Sequence, residues 1–367
     1  RSTLFPYTTL FRSASIGSNF MMTDEAQECA QNIDTVGYNY LERLYNEHHE
    51  KYPEWKIYGS ETGSTIQSRG IYHFPESLIL VTFSDGQCSC LGNCTVSWGG
   101  KNTQTVISND RDCKFSAGQY IWTGWDYIGE PTPYHSKSSF FGQIDTAGFP
   151  KDTFYLYKSE WQYKNTEPFV HLLPYWDWNE GQLIDVKAYT NMESVELFFN
   201  GVSQGKQDIN HKDGKEPFGQ WKIEYHKGEI KAVGYDSEGN ALAQEVKKSF
   251  GDPTKIILLP EVEKYGNLFF VQIMTADKDG TLVENARNYI TFNVKGVNYT
   301  KHTDSNGVAS ITLKLNAGNY AISTSYGNAV NNDDVDVLPV VYGKDIIKTY
   351  SNSKSYSAAF LDSKGTS

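Results

Sequence analysis

Glu61 stands in the run W-K-I-Y-G-S-E-T-G-S, where a short, mostly apolar strand gives way to a Gly/Ser/Thr loop. A barrel enzyme places catalytic groups at such a junction. A carboxylate nucleophile there needs a second carboxylic acid close by, to protonate what leaves. The competing role for a strand-end carboxylate is to cap a turn or pair with Arg69. Cys88, Cys90 and Cys94 form a second reactive cluster, but C-x-C-x3-C is not a zinc-ribbon spacing and no CxxC or His pair accompanies it. With Cys113 nearby, loop cysteines with one disulfide are expected, and a metal site is the lesser alternative. Asp277, Asp279 and Asp304 through Asn306 lie in D-K-D-G and D-S-N-G. Such pairs serve hairpin turns without an ion, and no dodecapeptide calcium loop is present.

The elements that position Glu61 alternate. Residues 24–33 are rich in helix formers, D-T-V-G-Y-N-Y reads as a brief strand, and Leu41, Leu44 and Tyr45 recur at helical period before Pro53. The strand ending at Glu61 follows. This β-α-β order predicts parallel strands with crossover helices. Residues 84–116 read as loop, and S-A-G-Q-Y-I-W-T-G-W-D-Y then supplies another buried strand. After Trp161 the pattern becomes short alternating strands, L-I-D-V-K-A-Y-T-N, V-E-L-F-F-N-G-V, W-K-I-E-Y and I-K-A-V-G-Y-D. Turn signals such as Asn200-Gly201, Asp213-Gly214 and Glu238-Gly239-Asn240 separate them. That style predicts Ig-like β-sandwiches.

Length and composition narrow the class. The chain has 367 residues, more than a single core of ~250–300 usually holds, so two or three domains are expected. A net charge of −11 argues against a nucleic-acid partner. Aromatics at 14% suit sugar-stacking clefts and sandwich cores alike. There is no apolar run of ~18 residues or more to span a membrane, and no signal peptide is visible. Nothing in the sequence sets an oligomeric state.

Residues 34–75 and 116–163 resemble glycoside hydrolase family 2, on its β-galactosidase side. The resemblance rests on D-T-V-G-Y-N-Y, H-H-E-K-Y-P-E-W, Y-G-S-E-T-G-S, S-R-G-I-Y-H-F-P, I-W-T-G-W-D-Y-I-G-E-P-T-P-Y and F-G-Q-I-D-T-A-G-F-P-K-D. P-Y-W-D-W-N-E-G-Q and E-L-F-F-N-G resemble the sandwich that follows the barrel in these enzymes. The implied architecture is multidomain, a partial (β/α)8 barrel followed by Ig-like β-sandwich domains. Residues 14–165 would be the C-terminal part of the barrel, 166–250 a first sandwich, 251–340 a second, and 341–367 the start of a further, truncated unit.

The resemblance also implies roles. The family works with retention through two carboxyl groups about 5–5.5 Å apart, and the S-E-T match makes Glu61 the nucleophile. The acid/base belongs to an earlier strand, and S-I-G-S-N-F-M contains no such Glu, so it is expected to be missing. Tyr40 aligns with a tyrosine that hydrogen-bonds the nucleophile, and Tyr38 is expected in the core. Trp122 aligns with a tryptophan flooring the sugar site, with a buried barrel Trp as the alternative. Trp125, Asp126 and Glu130 follow in the same loop, where they would meet sugar hydroxyls; Asp126 would equally cap the turn. His73 is either a sugar contact or a structural histidine. Trp176 and Trp178 pack a domain junction or form an outlying subsite. No cofactor and no metal is called for. The substrate would be an oligosaccharide or glycoside, and the location extracellular, periplasmic or cell-surface.

Both ends look foreign. From Thr3 to Ser13 the sequence resembles a translated sequencing adapter, so 1–13 are set aside and the chain is expected to be a fragment. Residues 296–367 resemble Ig-like repeats of adhesin-like surface proteins, which makes a chimeric join near 290–297 conceivable. The rival to a glycosidase fragment is therefore a non-enzymatic cell-surface adhesin or carbohydrate-binding protein.

Overall fold

The computed structural model describes residues 14–81, 87–95, 102–162, 164–209, 211, 214, 216–260, 271–285, 289–294, 297–302, 318–326, 329–337, 340–343 and 358–361. Contacts divide the chain into two units, Arg1–Ser249 and Phe250–Ser367.

The first unit begins with alternating strands and helices: β1 (Ser15–Ser18), α1 (Asp24–Ala30), β2 (Thr35–Asn39), α2 (Tyr45–Lys51), β3 (Ile57–Gly63), α3 (Thr103–Arg111), β4 (Gln119–Trp122) and α4 (Asp152–Trp161). The strands form one parallel sheet in the order β1-β2-β3-β4. The alternation predicted from sequence is thus present, but four strands do not close into a barrel among the described residues. Thr23 starts α1 by accepting from the Ala26 amide, with Asp24 and Glu25 in the first turn where the helix dipole favours them. Ala30, Val36, Tyr38, Leu41, Tyr45, Trp55 and Ile57 bury the faces of α1, α2, β2 and β3 against one another.

Two expectations need correction here. The segment 84–116 is not all loop, because α3 occupies Thr103–Arg111. Asn102 caps it by accepting from the Thr105 amide at 2.7 Å, and Val106 and Ile107 supply its buried face. Short polar residues around only two apolar positions hid the helical period. β3 also does not stop at Glu61 but runs on to Gly63.

Seven antiparallel strands complete the unit: β5 (Val170–Leu173), β6 (Leu183–Thr190), β7 (Ser194–Phe199), β8 (Val202–Asp208), β9 (Gly219–Glu224), β10 (Glu229–Tyr235) and β11 (Ala241–Lys248). They form two sheets, β9-β6-β5 and β8-β7-β10-β11. Their inward residues, among them Ile184, Val186, Val195, Leu197, Ile230 and Ala232, form one sandwich core with Trp176. Trp176 is fully buried and donates to the His226 carbonyl. Trp178 packs edge-on against Phe74 at 4.9 Å.

Helices α3 and α4 meet this sandwich. Ile107, Leu156 and Tyr157 pack with Leu173, Tyr189 and Phe218. Buried polar links cross the same joint: His171 Nε2 to Asp152 Oδ1 at 2.7 Å and His211 Nδ1 to Glu160 Oε1 at 2.6 Å. Each buried Leu- or Ile-sized side chain contributes about 1.5–3 kcal/mol. Ion pairs taken out of water return little net stability. The joint is therefore held mainly by its apolar residues.

In the second unit, strands 255–260 and 271–276 form a hairpin. Strands 297–302, 289–294, 318–326 and 329–337 follow in one antiparallel sheet in that spatial order, and 340–343 pairs with 358–361. The pairing of 289–294 with 297–302 flanks the conjectured join. Asp277 Oδ1 accepts from the amides of Asp279 and Thr281, and Oδ2 from Gly251. The D-K-D-G carboxylate is thus taken up by its turn; Asp304 through Asn306 and Asp213 lie outside the described residues.

Candidate active site

β3 carries one residue more than its neighbours. Gly59 and Glu61 pair with the consecutive residues Tyr38 and Asn39 of β2, while Gly59 and Thr62 pair with Gln119 and Ile121 of β4. The surplus falls at Ser60, just before Glu61. Such a bulge bends a strand and re-aims the side chains beside it.

β2 ends in an equally unusual way. Tyr40 has φ +57°, a left-handed conformation uncommon for a residue with a Cβ. In a regular strand Asn39 and Tyr40 would point to opposite faces. With the strand broken at Tyr40, both reach the same carboxylate. The Tyr40 hydroxyl donates to Glu61 Oε1 at 2.6 Å, and Asn39 Nδ2 donates to Oε2 at 3.1 Å. The Tyr40 amide donates to the Glu61 carbonyl at 2.8 Å, fixing the backbones together.

The Tyr40 phenol is held well above its ordinary pKa, first by burial and then by its bond to Glu61, with Ser64 pulling the other way. The phenol thus keeps its proton and donates, and the carboxylate accepts. Tyr38 lies on the other face, fully buried, with its hydroxyl 2.9 Å from His48 Nδ1. Arg69 does not reach Glu61 but bonds Asp145 at 2.7 Å.

Trp122 pairs with Gly63 at the same end of the sheet, and its carbonyl accepts from the Ser64 amide at 3.0 Å. The residue is 37% exposed, and its ring meets Tyr127 edge-on at 5.9 Å. In the loop beyond, Trp125 is exposed, and exposed Glu130 accepts from the Tyr127 hydroxyl at 2.9 Å. Asp126 is turned inward instead. Its Oδ1 accepts from Lys151 Nζ at 2.7 Å and from the Gly142 amide at 2.8 Å, with both charged side chains buried. Burial pushes the Asp126 carboxyl up and the Lys151 ammonium down, each opposed by the other's charge. Asp126 is therefore the fastening of its loop.

His73 is likewise engaged away from Glu61. Its amide donates to Ser89 Oγ, its carbonyl accepts from Asn93, and Nδ1 lies 3.9 Å from Cys94 Sγ. The expected disulfide is not formed: all five cysteines are thiols, with Cys88, Cys90 and Cys94 buried. Cys90 donates to the Ser68 carbonyl, and the Ser89 amide donates to Cys94 Sγ, so Cys90 ties the loop to the segment after β3 and Cys94 is bonded within the loop. Among the described residues no three His, Cys, Asp or Glu side chains converge on a metal-sized site.

Sequence reasoning missed Asn39 and Ser60. Alternation argues against Asn39, because Tyr40 occupies the face assigned to Glu61. The glycines at 17 and 37 were the available signal that the chain is tightly fitted around the Ser60 side chain.

Residues 181–243, in the sandwich, match a family described as a domain of unknown function, DUF4982. The chain is 35% identical over 295 residues to the β-galactosidase BoGH2A of Bacteroides ovatus, a match covering 76% of this chain and 34% of that protein. A β-glycosidase structure from Bacteroides vulgatus superposes with TM-score 0.62 at 22% identity, covering 88% of this chain and 50% of the other. A glycosyl hydrolase family 2 member from Bacteroides cellulosilyticus gives TM-score 0.57 at 19% identity, covering 90% and 45%. The chain thus spans about a third of that β-galactosidase and about half of the two solved structures. The likeness in sequence to that β-galactosidase and in fold to a glycosyl hydrolase family 2 member points to glycoside hydrolase family 2.

Proposed function

We propose that the chain is the C-terminal part of the catalytic barrel, with the following sandwich modules, of a retaining glycosidase acting on terminal β-galactosides or related β-glycosides. The observation that carries this reading is the Glu61 carboxylate at the end of a parallel strand, with Tyr40 and Asn39 donating to its two oxygens. A carboxylate oriented in this way is suited to attack an anomeric carbon. A bond forms between a Glu61 oxygen and that carbon as the bond to the leaving oxygen breaks. The leaving oxygen takes its proton from a carboxylic acid that we assign to an earlier barrel strand, outside these residues. Water, deprotonated by the same group, then releases the sugar and frees Glu61. Exposed Trp122 and Trp125 would offer aromatic faces to the sugar ring, and Glu130 a hydrogen-bond acceptor. The β-rich modules after the barrel part suit a protein working outside the cell, in the periplasm or at the cell surface.

The test is covalent capture. The longer enzyme, treated with a 2-deoxy-2-fluoro-β-galactoside bearing a dinitrophenyl leaving group, is digested and its peptides are mapped. An ester on Glu61 supports the assignment, and labelling of a different carboxylate overturns it. The 367-residue chain alone is expected to show no turnover of an aryl β-galactoside, since loss of the acid removes roughly 10²–10⁴-fold by itself.

A further inference from the structure

We propose that Ser60 and Asn39 form a positioning relay that sets the plane of the Glu61 carboxylate; the proposal rests on the nucleophile reading above. The bulge at Ser60 puts its hydroxyl toward β2, where it donates to Asn39 Oδ1 at 2.6 Å. An amide side chain has an acceptor end and a donor end of similar shape, and either can point at a neighbour. The carboxylate only accepts, so it takes Nδ2 at Oε2, and the Ser60 hydroxyl, which can donate or accept, donates to the remaining Oδ1 and pins that end of the amide. Tyr40 holds Oε1, so each oxygen has its own donor and rotation of the carboxylate is arrested. Without Ser60 the Oδ1 end of Asn39 loses its hydrogen bond, and the amide is no longer held in the plane that brings Nδ2 to Glu61.

The surrounding residues are fitted to this arrangement. A Cβ on Gly37 would lie 2.6 Å from Ser60 Oγ, and one on Gly17 would lie 3.0 Å from Ser60 Oγ and 3.2 Å from Asn39 Oδ1. Two strands thus leave out side chains where the relay passes. Neither Ser60 nor Asn39 needs to touch the reacting carbon; both act through Glu61. The bulge thereby has two effects from one inserted residue: it re-aims Glu61 and supplies the hydroxyl that orders its partner.

The experiment is a double-mutant cycle on the longer enzyme, with kcat and KM measured on an aryl β-galactoside and folding followed by circular dichroism. Asn39→Ala and Ser60→Ala are each expected to lower kcat roughly 10- to 100-fold with KM little changed, the size of losing a hydrogen bond to a charged group. Added to Asn39→Ala, Ser60→Ala should cost nothing further, because its effect passes through the amide. Asn39→Asp keeps the volume and the Ser60 bond but has no donor, and should lose at least as much as Asn39→Ala. Equal losses from Ser60→Ala in both backgrounds, or an Asn39→Asp enzyme with unchanged kcat, would overturn the relay. Glu61→Gln, run in parallel, separates the two claims: full activity there overturns the nucleophile assignment, whereas an inactive Glu61→Gln beside an active Asn39→Asp overturns the relay alone.

Discussion

Tyr40 and Glu61 are joined twice, backbone to backbone at 2.8 Å and hydroxyl to carboxylate at 2.6 Å. The first bond carries the parallel pairing to the end of β2. The second exists because Tyr40 then departs from strand geometry, at φ +57°. A side chain fixed at both its root and its tip has little freedom to lose when a substrate arrives.

Removing the tip contact tests its worth. In the longer enzyme, Tyr40→Phe is expected to reduce kcat roughly 10- to 100-fold, since a hydrogen bond to a charged group contributes about 1.5–3 kcal/mol. The ring and its packing remain, so the far-UV circular dichroism should be unchanged. A Tyr40→Phe enzyme with unaltered kcat would remove the hydroxyl from the mechanism.

Lys151 should prove far more costly to alter than its distance in sequence from Glu61 suggests. Lys151→Ala strands the buried Asp126 carboxylate, and breaking such a pair from one side costs about 3–5 kcal/mol. Urea denaturation of the 367-residue chain should show the loss. Lys151→Met combined with Asp126→Asn should recover much of it, because no unpaired charge remains.

Asp152 gives the joint between the helices and the sandwich an acid sensitivity. Burial opposes its ionisation, but the bonds from His171 and Tyr72 outweigh it and hold the carboxyl below its ordinary value. Its stabilising contribution is complete above the ordinary carboxylate range, about pH 4. It is lost as pH falls through the lower value held in the fold. Tyr72→Phe removes one of those bonds, so the acid-unfolding midpoint should move to higher pH. A midpoint that stays put or falls would show that the Tyr72 bond does not hold the carboxyl down.

The thiols offer an independent check on the loop. Cys29 is exposed and should react with a thiol reagent at once in the native chain, while Cys88, Cys90 and Cys94 are buried and should react only on unfolding. Burial also pushes the Cys90 thiol well up, which further slows it. In denaturant without reductant all five should titrate; fewer would mean a disulfide has formed after all.

Much of this was legible in the chain, and the reason differs by residue. Strands such as 35–39 and 183–190 were legible from strand-forming residues bounded by turn signals, although the alternation in 183–190 does not mark its faces, because Asp185 and Lys187 are buried and Leu183 is exposed. Glu61 and Tyr40 were singled out through motif resemblance, and the structure brings them into contact. Asn39 and Ser60 were not found, because a bulge and a left-handed residue break the period-two rule from which facing was inferred. Asp126 was read as a sugar contact or a turn cap, yet its partner Lys151 lies 25 positions on. Nothing local announces a pairing of that kind. Helix α3 was missed for the opposite reason: its cap and two apolar positions were local but too sparse to register.

The inward turn of Asp126 also bears on how the loop from Trp122 to Glu130 can change over generations. One position of that loop is committed to the scaffold, while Trp125 and Glu130 stand outside the packed interior. Substitutions at the outer positions leave the fastening intact, so their stability cost should stay near the roughly ±0.5 kcal/mol typical of surface sites. A lineage can therefore try new side chains on that rim without first finding a compensating mutation elsewhere.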